Sequence, residues 1–111
     1  MTLKKTQHDG ILIIAPGEKV TVTEGGDELL KAVQQGLEEG FTKILFDLSA
    51  VEFMDSLGVG QIVASYVSIK NKGGHLILCG LKPRIALVLR MASLHLVLDI
   101  KESGPGSLLW D

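Results

Sequence analysis

The chain has 111 residues, of which 46% are hydrophobic and 22% are charged, and its net charge is −2 at pH 7. This length predicts a single domain over residues 1–111, with the composition of an ordinary globular protein. The sequence has no basic cluster to support direct nucleic-acid binding, and no apolar run of the roughly 18 residues that a membrane-inserted helix needs. The start of the chain lacks the apolar core of a secretory signal, so we expect a cytoplasmic protein.

The N-terminal part of the sequence predicts a β-hairpin followed by a resumed strand. Residues 2–8 are polar and compatible with an edge strand. The Asp-Gly pair at 9–10 is a strong signal for a hairpin turn. Residues 11–15 form an unbroken apolar run, which is typical of a strand covered on both faces or nearly so. Weak alternation over 18–23 allows this strand to resume after a bulge.

In three later segments, the spacing of apolar and polar residues predicts helices with one apolar and one polar face. They are a helix whose apolar stripe runs from Leu29 to Leu37, a helix from about Leu57 to Lys72, and a helix that begins at Pro83. Asp27 or Thr23 is the candidate cap of the first helix, and Gly40 is its candidate left-handed terminator. In the second helix, apolar residues recur at spacings of three and four: Val59, Ile62, Val63 and Tyr66.

Apolar strands alternate with these helices, at 43–48, 75–79 and 96–100. Alternation of this kind indicates βαβ crossovers and a largely parallel sheet, to which the early hairpin adds an antiparallel pair. The predicted fold class is therefore α/β, a mixed sheet with helices mainly on one face. The folded body of the domain should span about residues 10–100. Residues 102–111 form either a loose tail or a final turn packed on the body.

The stretch Phe53–Gly60 (FMDSLGVG) stands where a buried strand gives way to a helix. Ser56 is the predicted N-cap, where its oxygen accepts a hydrogen bond from a free backbone N–H group. The same terminus favours a phosphate, because its N–H groups are unpaired and the helix dipole is positive there. Gly58 and Gly60 permit close packing against a neighbouring strand. Two interpretations of Ser56 stay open: a cap only, or a modifiable hydroxyl on a recognition surface.

The sequence lacks the motifs of common catalytic sites. The three histidines have no metal-ligand spacing, and neither Cys-x-x-Cys nor His-Glu-x-x-His occurs. The residue two positions before Ser56 is Met54, where a nucleophile elbow has glycine. The single cysteine, Cys79, lies in an apolar strand and is expected to be buried and inert. We therefore expect no enzymatic activity, no metal and no cofactor.

Three motifs together carry a resemblance to a known family: Ile44–Leu48 (ILFDL), Val51–Gly60 (VEFMDSLGVG) and Lys72–Cys79 (KGGHLILC). In this order they resemble the STAS domain, the module shared by anti-sigma-factor antagonists and sulfate transporters, and in particular its bacterial antagonist type. The resemblance covers the chain from Gly10 to about Ile100. Leu57 stands where the family pattern commonly has a second hydroxyl residue.

The resemblance implies both a function and a regulated site. Bacterial antagonists of this type regulate transcription by partner switching: they sequester an anti-sigma factor and are switched off by serine phosphorylation. The resemblance thus implies that Ser56 is the acceptor hydroxyl of a phosphoprotein. Its implied partners are an anti-sigma factor that is also a serine kinase and a phosphatase that acts on phosphorylated Ser56. The alternative is a non-phosphorylated STAS subunit of a transporter or of a stress-signalling scaffold.

The start of the second helix is expected to present a small, mostly apolar docking patch to the partner. Two threonines of a neighbouring loop could contact the same partner, although exposed loop threonines without a function are common. The residues predicted to bind the partner are Asp55, Ser56, Leu57, Gly58, Val59, Thr21 and Thr23.

Overall fold

The structure is a computed structural model that describes residues 3–25 and 27–101. Its elements in chain order are β1 (Lys4–His8), β2 (Ile11–Ala15), β3 (Lys19–Val20), α1 (Glu28–Glu38), β4 (Lys43–Asp47), β5 (Phe53–Met54), α2 (Ser56–Asn71), β6 (His75–Cys79), α3 (Pro83–Met91), a 3-10 turn (Leu94–Leu96) and β7 (Asp99–Lys101). The tail predicted over 102–111 lies outside the described residues. Among the described helices, none is both long and apolar enough to cross a membrane.

The main sheet has five strands in the order β1-β2-β4-β6-β7. The pair β1–β2 is antiparallel and the other pairs are parallel, so the predicted mixed sheet is confirmed. Asp9 (φ 52°) and Gly10 (φ 81°) both adopt left-handed backbone conformations, as the tight turn of a two-residue hairpin requires. All five side chains of β1 are exposed, including Lys4 and Lys5 at its start. The edge strand proposed at 2–8 is thus present.

The hydrophobic core lies between the helices and one face of this sheet. Alternate residues of the three central strands point into it: Leu12, Ile14, Ile44, Phe46, Leu76 and Leu78. The helices contribute their buried faces: Leu29, Ala32, Val33, Ile62, Ile69, Ile85 and Leu89. Gly36 of α1 is buried against the Leu12 side chain, which a Cβ at this position would overlap. This glycine weakens the isolated helix but lets α1 lie close to the sheet.

The last strand begins later than predicted, and the predicted cap of the first helix is correct in its position but not in its hydrogen bond. The apolar segment at 96–100 begins with the end of the 3-10 turn, and β7 starts only at Asp99. The turn follows Ser93, whose left-handed backbone (φ 60°) redirects the chain after α3 and leaves Leu96 and Val97 exposed. Asp27 occupies the N-cap position of α1, but its side chain forms no cap hydrogen bond.

The apolar stripe predicted for the second helix is correct only in part. Ile62 is fully buried, whereas Val63 is 36% exposed and lies on the outer side of α2. Val59 and Tyr66 are half-buried and pack against the core. Because α2 is apolar on several sides, spacings of three and four select more than one face, and the sequence pattern does not distinguish between them.

Candidate functional site

The start of α2 is organised by Asp55, which is its N-cap. Asp55 has an extended backbone (φ −103°, ψ −172°), and its Oδ1 accepts a hydrogen bond of 3.1 Å from the N–H of Gly58. Its Oδ2 accepts a second hydrogen bond of 2.9 Å from the N–H of Val22, in the loop that follows β3. The bond from Val22, followed by that from Gly58, lowers the pKa of Asp55 below its ordinary value, so this carboxylate is ionised at neutral pH.

Ser56 is the first residue of α2, and its side chain is exposed. The prediction that Ser56 is the N-cap is therefore wrong by one residue. Asp55 takes the capping position because its longer side chain satisfies N–H groups of both the helix and the neighbouring loop. Freed from capping, the Ser56 hydroxyl lies at the positive end of the helix and open to the surface.

Gly58 lies close to the strands that precede α2. The short strands β3 and β5 pair in parallel, with Val20 opposite Met54. A Cβ on Gly58 would overlap the Val20 carbonyl oxygen and lie 2.7 Å from Met54 Cγ. Gly58 is buried, so it shapes the site without presenting surface to a partner. Gly60, for which close packing is also predicted, has nothing within 4 Å of an added Cβ, and that prediction is wrong.

The loop at 21–25 lies beside the helix start and contains both predicted threonines. Thr21 and Glu24 exchange backbone hydrogen bonds of 2.9 and 3.2 Å, which close the loop on itself. The hydroxyls of Thr21 and Thr23 are 3.4 Å apart. Thr23 is exposed and Thr21 half-buried. The Asp55–Val22 hydrogen bond fixes this loop to α2, so the structure brings the two parts of the predicted partner-binding set together.

A shallow apolar groove of about 400 Å³ separates the start of α2 from α3. Met54 and Val59 line one side of it, Val88 and Met91 line the other, and Ser56 lies on its border. Met91 is 79% exposed. Val88 and Met91 were not predictable as part of the site, because only the folded chain places the end of α3 beside the start of α2.

Phe53 is a second residue beside the site that was not among the predicted partner-binding residues. Its ring is 41% exposed, and the Arg84 guanidinium lies 5.3 Å from the ring centroid. Lys19 Nζ lies 6.0 Å from the same centroid. These distances fall in the range of cation–π attraction. The position of Phe53 two residues before Asp55 is the only sequence signal, since its two basic neighbours come from other segments.

The remaining His, Cys, Asp and Glu side chains form no metal site in the described part of the chain. Within residues 3–25 and 27–101, no three His, Cys, Asp or Glu side chains are placed to hold a metal ion. Burial, with a smaller effect from Asp47, raises the pKa of the Cys79 thiol to about 11. Cys79 is thus a buried, neutral thiol, as predicted. His75 Nε2 lies 2.8 Å from Asp99 Oδ2, distant in the sheet from the start of α2.

Comparison with known proteins shows which family this arrangement belongs to. The model of the STAS domain matches residues 2–103. The chain belongs to the STAS domain family. An anti-sigma F factor antagonist of Paenibacillus polymyxa is 32% identical over 65 residues, which cover 59% of this chain and 56% of that relative. An anti-sigma-B factor antagonist of Listeria monocytogenes is 29% identical over 99 residues, which cover 89% of this chain and 85% of that relative.

Solved STAS structures share the fold. A provisionally named anti-sigma factor antagonist from Thermotoga maritima superposes with a TM-score of 0.84 at 27% identity, covering 91% of this chain and 86% of that one. The Bacillus cell fate determinant SpoIIAA in its phosphorylated form gives 0.71 at 16% identity, covering 92% and 93%. At that identity the second likeness concerns the fold alone. The predicted STAS membership and mixed α/β fold are confirmed.

Proposed function

We propose that this STAS domain is an anti-sigma-factor antagonist that binds its anti-sigma factor at the start of α2 and releases it when Ser56 is phosphorylated. The names of the relatives from Paenibacillus and Listeria support the binding function. The observation that carries the regulatory part is the position of Ser56. Its exposed hydroxyl borders an apolar groove and directly follows an ionised aspartate.

The unmodified surface suits a protein partner because exposed apolar side chains surround the hydroxyl. Leu57 is 39% exposed, Met91 lines the same groove as Ser56, and Val22 belongs to the loop bonded to Asp55. Covering such side chains is favourable by about 25 cal/mol per Å² of apolar surface. The Asp55 hydrogen bonds hold the loop and the helix start in one arrangement, so little ordering is needed on binding.

Phosphorylation of Ser56 would reverse this balance. A phosphate adds a charge of about −1.5 to −2. An unpaired anion buried in an interface costs several kcal/mol. The positive end of the helix offsets only about 0.3–1 kcal/mol of that cost. Because the Gly58 N–H is already bonded to Asp55, one donor of this terminus is taken. Asp55 also adds repulsion between like charges. Since about 1.4 kcal/mol changes an affinity tenfold, release of the partner is expected without refolding of the domain.

In this proposal the chain is a binding module and not an enzyme. The phosphoryl transfer to Ser56 is carried out by the anti-sigma factor acting as a serine kinase, and a phosphatase restores the free hydroxyl. Incubation with ATP alone should therefore leave the intact mass of the chain unchanged. Incubation with the cognate kinase and ATP should add one phosphate to the wild type and none to Ser56→Ala.

Binding measurements separate the switch from its alternatives. Ser56→Ala should bind the anti-sigma factor nearly as well as the wild type, and Ser56→Asp at least tenfold more weakly, in titrations by calorimetry. Ser68→Asp is the matched control, because it adds the same charge to α2 away from the groove and should bind normally. Equal affinities for Ser56→Ala and Ser56→Asp would contradict the electrostatic switch. They would favour a non-phosphorylated STAS subunit of a transporter or scaffold.

A further inference from the structure

The β3–β5 pair and the start of α3 bring two cations onto one aromatic ring. Lys19 of β3 stands opposite Phe53 of β5, and Arg84 is the second residue of α3. The Arg84 guanidinium lies 5.3 Å and Lys19 Nζ lies 6.0 Å from the centroid of the Phe53 ring. Phe53 and Arg84 are exposed, and Lys19 is half-buried. These three residues, the basic cluster, are therefore open to solvent.

The stability of α3 does not explain why Arg84 stands at its start. The N-cap of this helix is Lys82, and its first turn contains no acidic residue. Positive charges are unfavourable at a helix N-terminus, because the helix dipole is positive there. The ammonium group of Lys82 is occupied, since its Nζ donates a hydrogen bond of 2.6 Å to the carbonyl oxygen of Ser49. Arg84 is instead directed to the ring of Phe53.

The two cations of the basic cluster keep their hydrogen-bond donors available. In the part of the chain that the structure describes, no carboxylate forms an ion pair with Lys19 or Arg84. Glu18 and Glu52 precede Lys19 and Phe53 in the chain, yet neither forms an ion pair with the two cations. Attraction to the ring restricts the cations but uses none of their N–H donors. The basic cluster thus presents two positive charges in a form that suits a carboxylate.

The surroundings of the basic cluster indicate which anion fits. Met54 directly follows Phe53 and lines the apolar groove together with Ser56, so the cluster borders that groove. Asp55, the next residue, is ionised and repels a second carboxylate near the start of α2. A protein segment fits both conditions if an apolar side chain enters the groove and an acidic side chain beside it points towards β3. A nucleic acid does not, because its many phosphates need a larger basic surface than a chain of net charge −2 offers.

We propose that Lys19, Phe53 and Arg84 form a second contact of the docking surface and take an acidic side chain of the anti-sigma factor. This inference rests on the proposed function and adds the chemistry by which the partner is oriented. The apolar groove supplies contact area, and the basic cluster fixes the direction in which the partner lies across it. Because the charges attract before contact is made, the basic cluster should act mainly on the rate of association.

Charge reversal in the full chain tests this contact, with stopped-flow measurement of association with the anti-sigma factor. At ~20 mM salt, Arg84→Glu and Lys19→Glu should each associate at least about threefold more slowly than the wild type, and the double variant about tenfold more slowly. At ~500 mM salt these differences should largely disappear, because the charges are screened. Arg84→Lys keeps the charge and should stay within about twofold of the wild type.

Lys43→Glu is the matched control, because it changes the net charge by the same amount. Lys43 is exposed at the start of β4, whereas the chain reaches β5 only after the other end of that strand. This variant should associate at the rate of the wild type. All variants should unfold at the same urea concentration. If Arg84→Glu does not, the comparison of Lys19→Glu with Lys43→Glu carries the test.

Three results would overturn the proposed contact. They are a wild-type rate for both charge reversals in the basic cluster, equal slowing by Lys43→Glu, and equal slowing by Arg84→Lys and Arg84→Glu. The second would show an effect of net charge alone, and the third a dependence on the guanidinium shape and not on its charge. In each case the wild type still binds, so the proposed function stands. No binding of the wild type would instead reject the proposed function and this contact together.

Discussion

Replacing Gly58 by alanine tests the close contact between α2 and the two strands before it. The added Cβ would overlap the Val20 carbonyl oxygen, a backbone atom that cannot rotate away, and would also crowd Met54. Overpacking of this kind costs about 1–3 kcal/mol. Alanine in a helix gains up to about 1 kcal/mol over glycine. We therefore expect Gly58→Ala to lower the free energy of unfolding, by up to about 2 kcal/mol after the gain in helix propensity is subtracted.

Gly60→Ala is the matched control for this substitution. Gly60 lies in the same helix two residues later, and an added Cβ meets nothing within 4 Å. The gain in helix propensity is then uncompensated, and stability should rise by up to about 1 kcal/mol. Chemically identical substitutions thus act in opposite directions.

Urea denaturation of the two variants measures the difference, provided that the slopes of the transitions agree. Gly58→Ala and Gly60→Ala should also differ in their affinity for the partner. Movement of α2 away from Val20 displaces Ser56 from the loop at 21–25, whereas Gly60→Ala leaves that geometry intact. If Gly58→Ala stabilises the chain as much as Gly60→Ala does, the packing of α2 against the β3–β5 pair is not as described.

Two other substitutions have defined outcomes. The hydroxyl of Ser65 is buried in α2 and has no hydrogen-bond partner among the described residues. Ser65→Ala should therefore raise the free energy of unfolding by about 1 kcal/mol, and more than Ser68→Ala does. A loss of stability would point to a missed partner. For Asp99, burial raises the pKa, but the hydrogen bonds from His75 and Lys101 outweigh it and lower the pKa overall. Ionised Asp99 thus stabilises the fold above its unfolded pKa, near 4, and the contribution is lost as pH falls through the lower folded value. As the pH falls from about 5 to about 2, the free energy of unfolding of Asp99→Asn should decrease less than that of the wild type. Parallel pH profiles of the two proteins would contradict this.

The strands and helices were largely predictable because their signals are local. Apolar runs and Gly-containing turns identified the hairpin and the central strands before any contact between them was known. The cap of α2 was not predictable, since serine and aspartate both suit that position. The choice depends on Val22, 33 residues before Asp55 in the chain, whose N–H reaches the carboxylate only in the folded molecule.

The centre of the candidate site could be located from the sequence, but its borders could not. The residues at 55–59 are contiguous, so the helix start alone identified them. Met91 and Arg84 come from α3 and reach the site through tertiary packing, which leaves no short-range pattern in the sequence. Gly58 and Gly60 look equivalent in the sequence, yet one is buried against a backbone carbonyl and the other faces outward.

The polar outer strand β1 also limits how copies of this domain can assemble. A sheet border with unpaired backbone groups is a template for strand-by-strand growth into filaments, and charged side chains, lysine above all, oppose such growth. Lys4 and Lys5 place two positive charges at the beginning of this border. Another strand that paired with this border would have to lie against these charged side chains. Higher-order complexes of this domain are therefore expected to form through helices and loops, and concentrated solutions to resist fibril formation along β1.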